Sequence, residues 1–122
     1  MATYYASITD EQAALIRSAP LFFVASVAPN LAKGPNDVGP VNLSPKGGVR
    51  LHILSPTRVA YLDYPGSGNE TAAHVDFDPR MTVMFCAFEG APVILLIKKV
   101  PAGLSIKELG MRCNFAKTIA RA

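Results

Sequence analysis

Short apolar runs, each closed within a few residues by a proline, glycine or asparagine cluster, set the strongest limit on how this 122-residue chain folds. Residues 21–28 form a continuous apolar stretch rich in Phe and Val, the pattern of a buried strand. Extended segments follow at 41–43, 49–54, 59–64, 81–88 and 93–100. They are separated by Pro45-Lys46-Gly47-Gly48, Ser55-Pro56-Thr57-Arg58 and Glu89-Gly90-Ala91-Pro92, all turn-forming sequences. Residues 29–40, with three prolines, two glycines and two asparagines, read as a loop. Six short strands at such close spacing leave no room for a long helix between each pair. A doubly wound parallel sheet is therefore excluded, and a mostly β, antiparallel barrel or sandwich with short helices is expected.

Two short helices fit into this frame. Thr9-Asp10-Glu11-Gln12 is a capping box that opens a helix running to Ser18, stopped by Pro20. A second helix is expected from Asn69 to Phe77, closed by Asp78-Pro79. A third helix is expected from Ser105 to Ala120, because Ser105-Ile106-Lys107-Glu108 is another capping box and Ile106, Leu109, Cys113, Ala116 and Ala120 recur at helical spacing. Gly110 inside it costs about 1 kcal/mol relative to Ala.

Composition narrows the function classes. Half of the chain is hydrophobic, enough for one small core. No apolar run reaches the roughly 18–20 residues needed to span a bilayer, and no signal peptide is evident at the N-terminus. Two cysteines, Cys86 and Cys113, do not make a disulfide framework, and a reducing, cytoplasmic setting is expected. The net charge of +3 is unevenly placed. Residues 1–96 carry six basic and eight acidic side chains, whereas residues 97–122 carry six basic and one acidic. The basic character belongs to the tail, where it reads as a solvated face, and no nucleic-acid partner is expected. Residues 1–96 are accordingly read as one domain and 97–122 as an atypical basic segment of a last strand and a helix.

The residues able to do chemistry are few. His52 and His74 have no second ligand at metal spacing, so no metal site is expected. Ser44 lacks the Gly-x-Ser-x-Gly elbow of a hydrolase. A trio of Ser44, His74 and Asp63 can be drawn on paper, as in any chain of this size. Asp63 at a strand end and Glu70 at the helix start are able to serve as acid or base groups, but the favoured reading is a turn carboxylate and a carboxylate complementing the helix dipole. No residue stands out as catalytic. More telling is Gly66-Ser67-Gly68-Asn69-Glu70, which follows the apolar run 59–64. A strand emptying into a Gly-Ser-Gly turn and then a helix start exposes backbone N–H groups to an anion. The same residues also suit a plain capped corner. Lys46, at a strand end before two glycines, supplies a cation from a second direction, and together the two features suit a phosphorylated ligand.

Five segments in order carry a resemblance. They are Phe22-Phe23-Val24-Ala25, Val41-Asn42-Leu43-Ser44-Pro45-Lys46-Gly47, Arg58-Val59-Ala60-Tyr61-Leu62-Asp63, the stretch from Gly66 to His74, and Thr82-Val83-Met84-Phe85-Cys86-Ala87-Phe88-Glu89-Gly90. Over residues 4–95 the chain resembles the pyridoxamine 5′-phosphate oxidase-like family, the FMN-binding split barrels. The resemblance implies an antiparallel six-stranded split β-barrel, FMN as cofactor, a homodimer with the flavin at the subunit interface, and oxidoreductase chemistry by hydride transfer through flavin N5 on a small-molecule redox substrate that it does not name. It also implies a role for each matching position. Asn42, Ser44 and Lys46 would face the cofactor from one strand, Leu62 and Asp63 would flank the flavin ring, and Ser67, Gly68 and Asn69 would hold the phosphate.

The chain departs from the family in three places. Basic residues of the phosphate turn are replaced by Gly68-Asn69, and an arginine near Asn42 is missing, so fewer charges hold the phosphate and pyridoxamine phosphate is not the expected substrate. The 29–40 loop is longer than the usual hairpin. After Leu95 the family's arginine-containing strand and further barrel strands give way to Leu96-Ile97-Lys98-Lys99 and the basic tail, which predicts an altered C-terminus and an incomplete barrel. The alternative to an enzyme is a non-catalytic flavin- or haem-binding split-barrel module, or a truncated inactive homologue.

Overall fold

A computed structural model describes residues 2–29, 40–48, 50–63, 70–77, 80–100 and 103–110. Eight strands and two helices follow in the order β1 (Ala2–Tyr5), α1 (Asp10–Ser18), β2 (Phe22–Val27), β3 (Val41–Lys46), β4 (His52–Ser55), β5 (Arg58–Ala60), α2 (Glu70–Phe77), β6 (Met81–Cys86), β7 (Val93–Val100) and β8 (Gly103–Gly110). Six of the strands form one sheet in the order β1-β8-β7-β6-β2-β3, and β4 and β5 form a separate hairpin. Every pairing is antiparallel. The fold is therefore mostly β with two short helices, as expected. Among the described residues β1 and β3 remain unpaired edges, so the split-barrel-like sheet is not closed there.

The turn chemistry explains the hairpins. Gly90 lies at φ 75° in the β6–β7 turn, a left-handed conformation that costs glycine no Cβ clash. The Ala87 N–H donates to the Val93 carbonyl at 2.8 Å and closes that hairpin. Pro56 and Thr57 turn β4 into β5, and the Ile8 N–H donates to the Pro56 carbonyl at 2.7 Å, tying the segment before α1 to this hairpin. Pro45 does not end β3, as its place in the sequence suggested. β3 is an edge strand, where a residue without an N–H is tolerated.

Alternation along β2, β3, β6 and β7 builds the core. Register places Phe22 opposite Lys46, Val24 opposite Ser44 and Ser26 opposite Asn42, so these six share one face. On the neighbouring strands Val83, Phe85, Leu95 and Ile97 point to the same side, and with Val24 they are the most deeply buried large side chains. α1 lays Ala13 and Ile16 on this face, and Leu51 and Val59 close it from the β4–β5 side. The reverse face of β6 and β7 packs Met84, Cys86, Ile94 and Leu96 into a smaller cluster. Burial there pushes the Cys86 thiol pKa up. β7 is thus covered on both sides, which accounts for its unbroken apolar run at 93–97.

The C-terminal expectation needs a correction. The capping box at Ser105 does not open a helix; residues 103–110 are β8, an interior strand paired with β7 and β1. A capping box is a local preference of about 1 kcal/mol, whereas β8 satisfies backbone groups along both edges. Gly110, unfavourable inside a helix, ends the strand. β7 also runs without interruption through the charge seam at 96/97. The expected helical positions 111–120 lie outside the described residues.

Candidate functional site

Strand alternation along β3 turns Asn42, Ser44 and Lys46 to the inner face and leaves Val41, Leu43 and Pro45 exposed outside. The polar residues meet an apolar β2 only in part. At one end Asn42 lies opposite Ser26, so two polar groups face each other where the core stops. α2 covers that end and brings Thr71 and His74 down onto them, both buried.

These side chains bond in sequence. Asn42 Nδ2 donates to Thr71 Oγ1 at 3.2 Å and to Ser44 Oγ at 3.0 Å. Thr71 Oγ1 lies 3.0 Å from Ser26 Oγ, and Ser26 Oγ lies 2.9 Å from His74 Nδ1. One ordering satisfies every hydroxyl: Asn42 donates to Thr71, Thr71 to Ser26, and Ser26 to His74 Nδ1, which leaves the imidazole proton on Nε2. Ser26, Thr71, His74 and Ser44 are all buried, and a buried hydroxyl left unpaired costs about 1–3 kcal/mol. The network therefore fixes α2 against both β2 and β3. A groove of about 190 Å³, lined in part by Ser26, Val27, Val41 and Met81, reaches its edge.

The other end of β3 carries a charge pair. Lys46 Nζ donates to Asp63 Oδ1 at 2.7 Å, with side-chain exposures of 11% and 22%. Lys46 Nζ also lies 5.9 Å from the centre of the Tyr61 ring, in cation–π range. Tyr61 packs edge-on to Phe22 at 5.4 Å, and Phe22 stacks on Phe85 at 5.4 Å. Burial first, and the Asp63 charge second, push the Tyr61 hydroxyl up to about 12. Leu62, next to it, is 61% exposed, a bare apolar surface beside the pair.

Of the positions expected at the site, Asn42, Ser44 and Lys46 share a face, and Asp63 is joined to them through Lys46. Leu62 lies on the adjoining surface. Ser67, Gly68 and Asn69 lie outside the described residues. The paper trio is not assembled: His74 bonds Ser26, and Asp63 pairs with Lys46. Sequence reasoning missed Ser26 and Thr71 altogether. A serine ending an apolar strand and a threonine in a helix carry no local signal; only the register that sets Ser26 opposite Asn42 joins them. A larger cleft, about 750 Å³, lies between α1 and β4 and includes none of the expected residues.

Comparison with known proteins supports the family resemblance. Over 97 residues, 78% of this chain, it is 40% identical to the pyridoxamine 5′-phosphate oxidase family protein ustO of Aspergillus flavus. Over this stretch the chain is similar to a member of the pyridoxamine 5′-phosphate oxidase family. The resemblance carried by the five segments is borne out. The match covers 36% of that protein, so the chain spans about a third of the relative's length. No family model matches the chain, and no solved structure matches it. No described helix of the chain is long and apolar enough to cross a membrane.

Proposed function

We propose that the chain binds FMN across the inner face of β3 and acts, as a homodimer, in an oxidoreductase of the pyridoxamine 5′-phosphate oxidase family. The observation that carries this reading is the joining of Asn42 and Ser44 to Thr71 of α2. The family resemblance assigns the turn just before α2 to the phosphate, and this network sets where α2 begins relative to β3.

The donor set suits an anionic, partly aromatic ligand. Amide, hydroxyl and ammonium groups line one face, and Leu62 and Tyr61 offer apolar surface beside them. Lys46 is balanced by Asp63, so the attraction rests on hydrogen-bond donors more than on net charge. Asn42, Ser44 and Lys46 would hold the cofactor, and Leu62 would lie against the ring. FMN, when bound, supplies two-electron chemistry at N5. The chain's own part is to orient it, to exclude water with the Phe22–Tyr61 layer, and to keep the Tyr61 proton in place. Exposed Val41 and Leu43 on the open edge strand β3 support the dimer, because an unpaired edge with apolar side chains invites a second copy.

The test is the visible absorption spectrum of the purified protein after incubation with FMN and gel filtration. A retained flavin spectrum at dimer size, weakened about tenfold in affinity by Asn42→Ala, is expected. Bleaching by a reduced nicotinamide and recovery in air would establish turnover. A folded protein that retains no flavin would overturn the reading.

A further inference from the structure

The cleft of about 750 Å³ lies between the last turn of α1 and the start of β4, beyond the Lys46 end of β3. Arg17 lines it from α1, Arg50 from the segment entering β4, and His52 from β4 itself. Phe22, Ile16 and Leu51, all buried, line it as apolar surface. Among the described residues no aspartate or glutamate contributes to the lining.

Among the described residues neither guanidinium has a hydrogen-bond or ion-pair partner. The C-terminal dipole of α1 accounts for Arg17. It does not account for Arg50, which belongs to no helix. Two arginines on different elements, lining one apolar-backed cleft with no counter-charge among the described residues, suit an oxyanion. The planar, weakly hydrated guanidinium tolerates an apolar surround better than an ammonium does.

We infer that this cleft binds a small organic anion, a carboxylate or phosphate monoester carrying an apolar body, held between Arg17 and Arg50 with its body against Phe22 and Leu51. The inference does not depend on flavin binding: Asn42, Ser44, Lys46 and Leu62, proposed to hold FMN, do not line the cleft, and Phe22, which does, reaches the flavin side only through its packing on Tyr61.

Calorimetric titration of the full chain with phenyl phosphate, benzoate and the neutral benzyl alcohol tests it. Both anions bind and the alcohol does not. Arg17→Gln and Arg50→Gln each weaken the anion about tenfold, and the double variant about a hundredfold. Asn42→Ala, on the flavin face, leaves anion affinity unchanged. The order of phenyl phosphate and benzoate separates a phosphate ester from a carboxylate as the natural headgroup. Because both arginines are exposed, the single variants keep the fold, checked by circular dichroism. Equal binding of the alcohol, no binding of either anion at millimolar concentration, or affinity unmoved in both single variants would overturn it.

Discussion

Ser26 shows how much one hydroxyl can hold. It bonds both Thr71 and His74 of α2 from the end of β2, and all three side chains are buried. Ser26→Ala leaves a hydroxyl and a ring nitrogen without their partner, at a cost of about 1–3 kcal/mol. Chemical denaturation should show that loss, and the proposed FMN affinity should fall with it because α2 loses its hydrogen bonds to β2. An unchanged denaturation midpoint would assign the network no part in stability. Tyr61 gives a pH signature. Its hydroxyl is raised from 10.0 to about 12 in the folded state, so the folded protein holds the proton more tightly than the unfolded chain. The stability it contributes is complete below about pH 10 and is lost as pH rises toward 12. Denaturation midpoints should fall across that window, and Asp63→Asn should move the phenol's ultraviolet titration to lower pH by removing the nearby charge. These two residues also mark the limit of local reading. Lys46 was legible from its place before Gly47-Gly48, but its partner Asp63 lies seventeen positions away and only folding pairs them. Thr71 was not legible at all, because nothing within its own helix distinguishes it from a surface threonine.

Elements with a strong local signal formed where the sequence placed them. α1 has both halves of its capping box: Gln12 N–H donates to Thr9 Oγ1 at 3.2 Å, and Thr9 N–H donates to Gln12 Oε1 at 3.0 Å. Thr9→Ala should cost about 1 kcal/mol, read as a lower thermal midpoint. Ser would restore most of it. The second capping box, at Ser105, had the same local signature and became β8. The two differ in what surrounds them. α1 has an apolar stripe, Ala13 and Ile16, to lay on the core, whereas the backbone of 103–110 finds β7 on one side and β1 on the other. β1 itself, Ala2–Tyr5, carries no strand pattern of its own and exists because β8 offers it an edge. Strand boundaries shifted by a few residues for the same reason: pairing partners, not composition, decide where a ladder ends.

At the level of the whole molecule the open sheet is the main fact. Among the described residues β3 is an unpaired edge, and Val41 and Leu43 are 70% and 64% exposed on it. The homodimer proposed above should give way to monomer in Leu43→Lys, read by gel filtration and sedimentation, with circular dichroism unchanged. A variant that stays dimeric would place the interface elsewhere. The family, the mostly β class, α1, α2 and most strands were determined by the sequence itself, because turn residues, capping boxes and apolar runs act over a few positions. Tertiary structure alone decided the rest. It set Ser26 opposite Asn42, turned residues 103–110 into an interior strand, joined Lys46 to Asp63, and opened a cleft between Arg17 and Arg50. Each of these depends on strand register and on which elements pack together, and those follow from burying one common core rather than from any single segment.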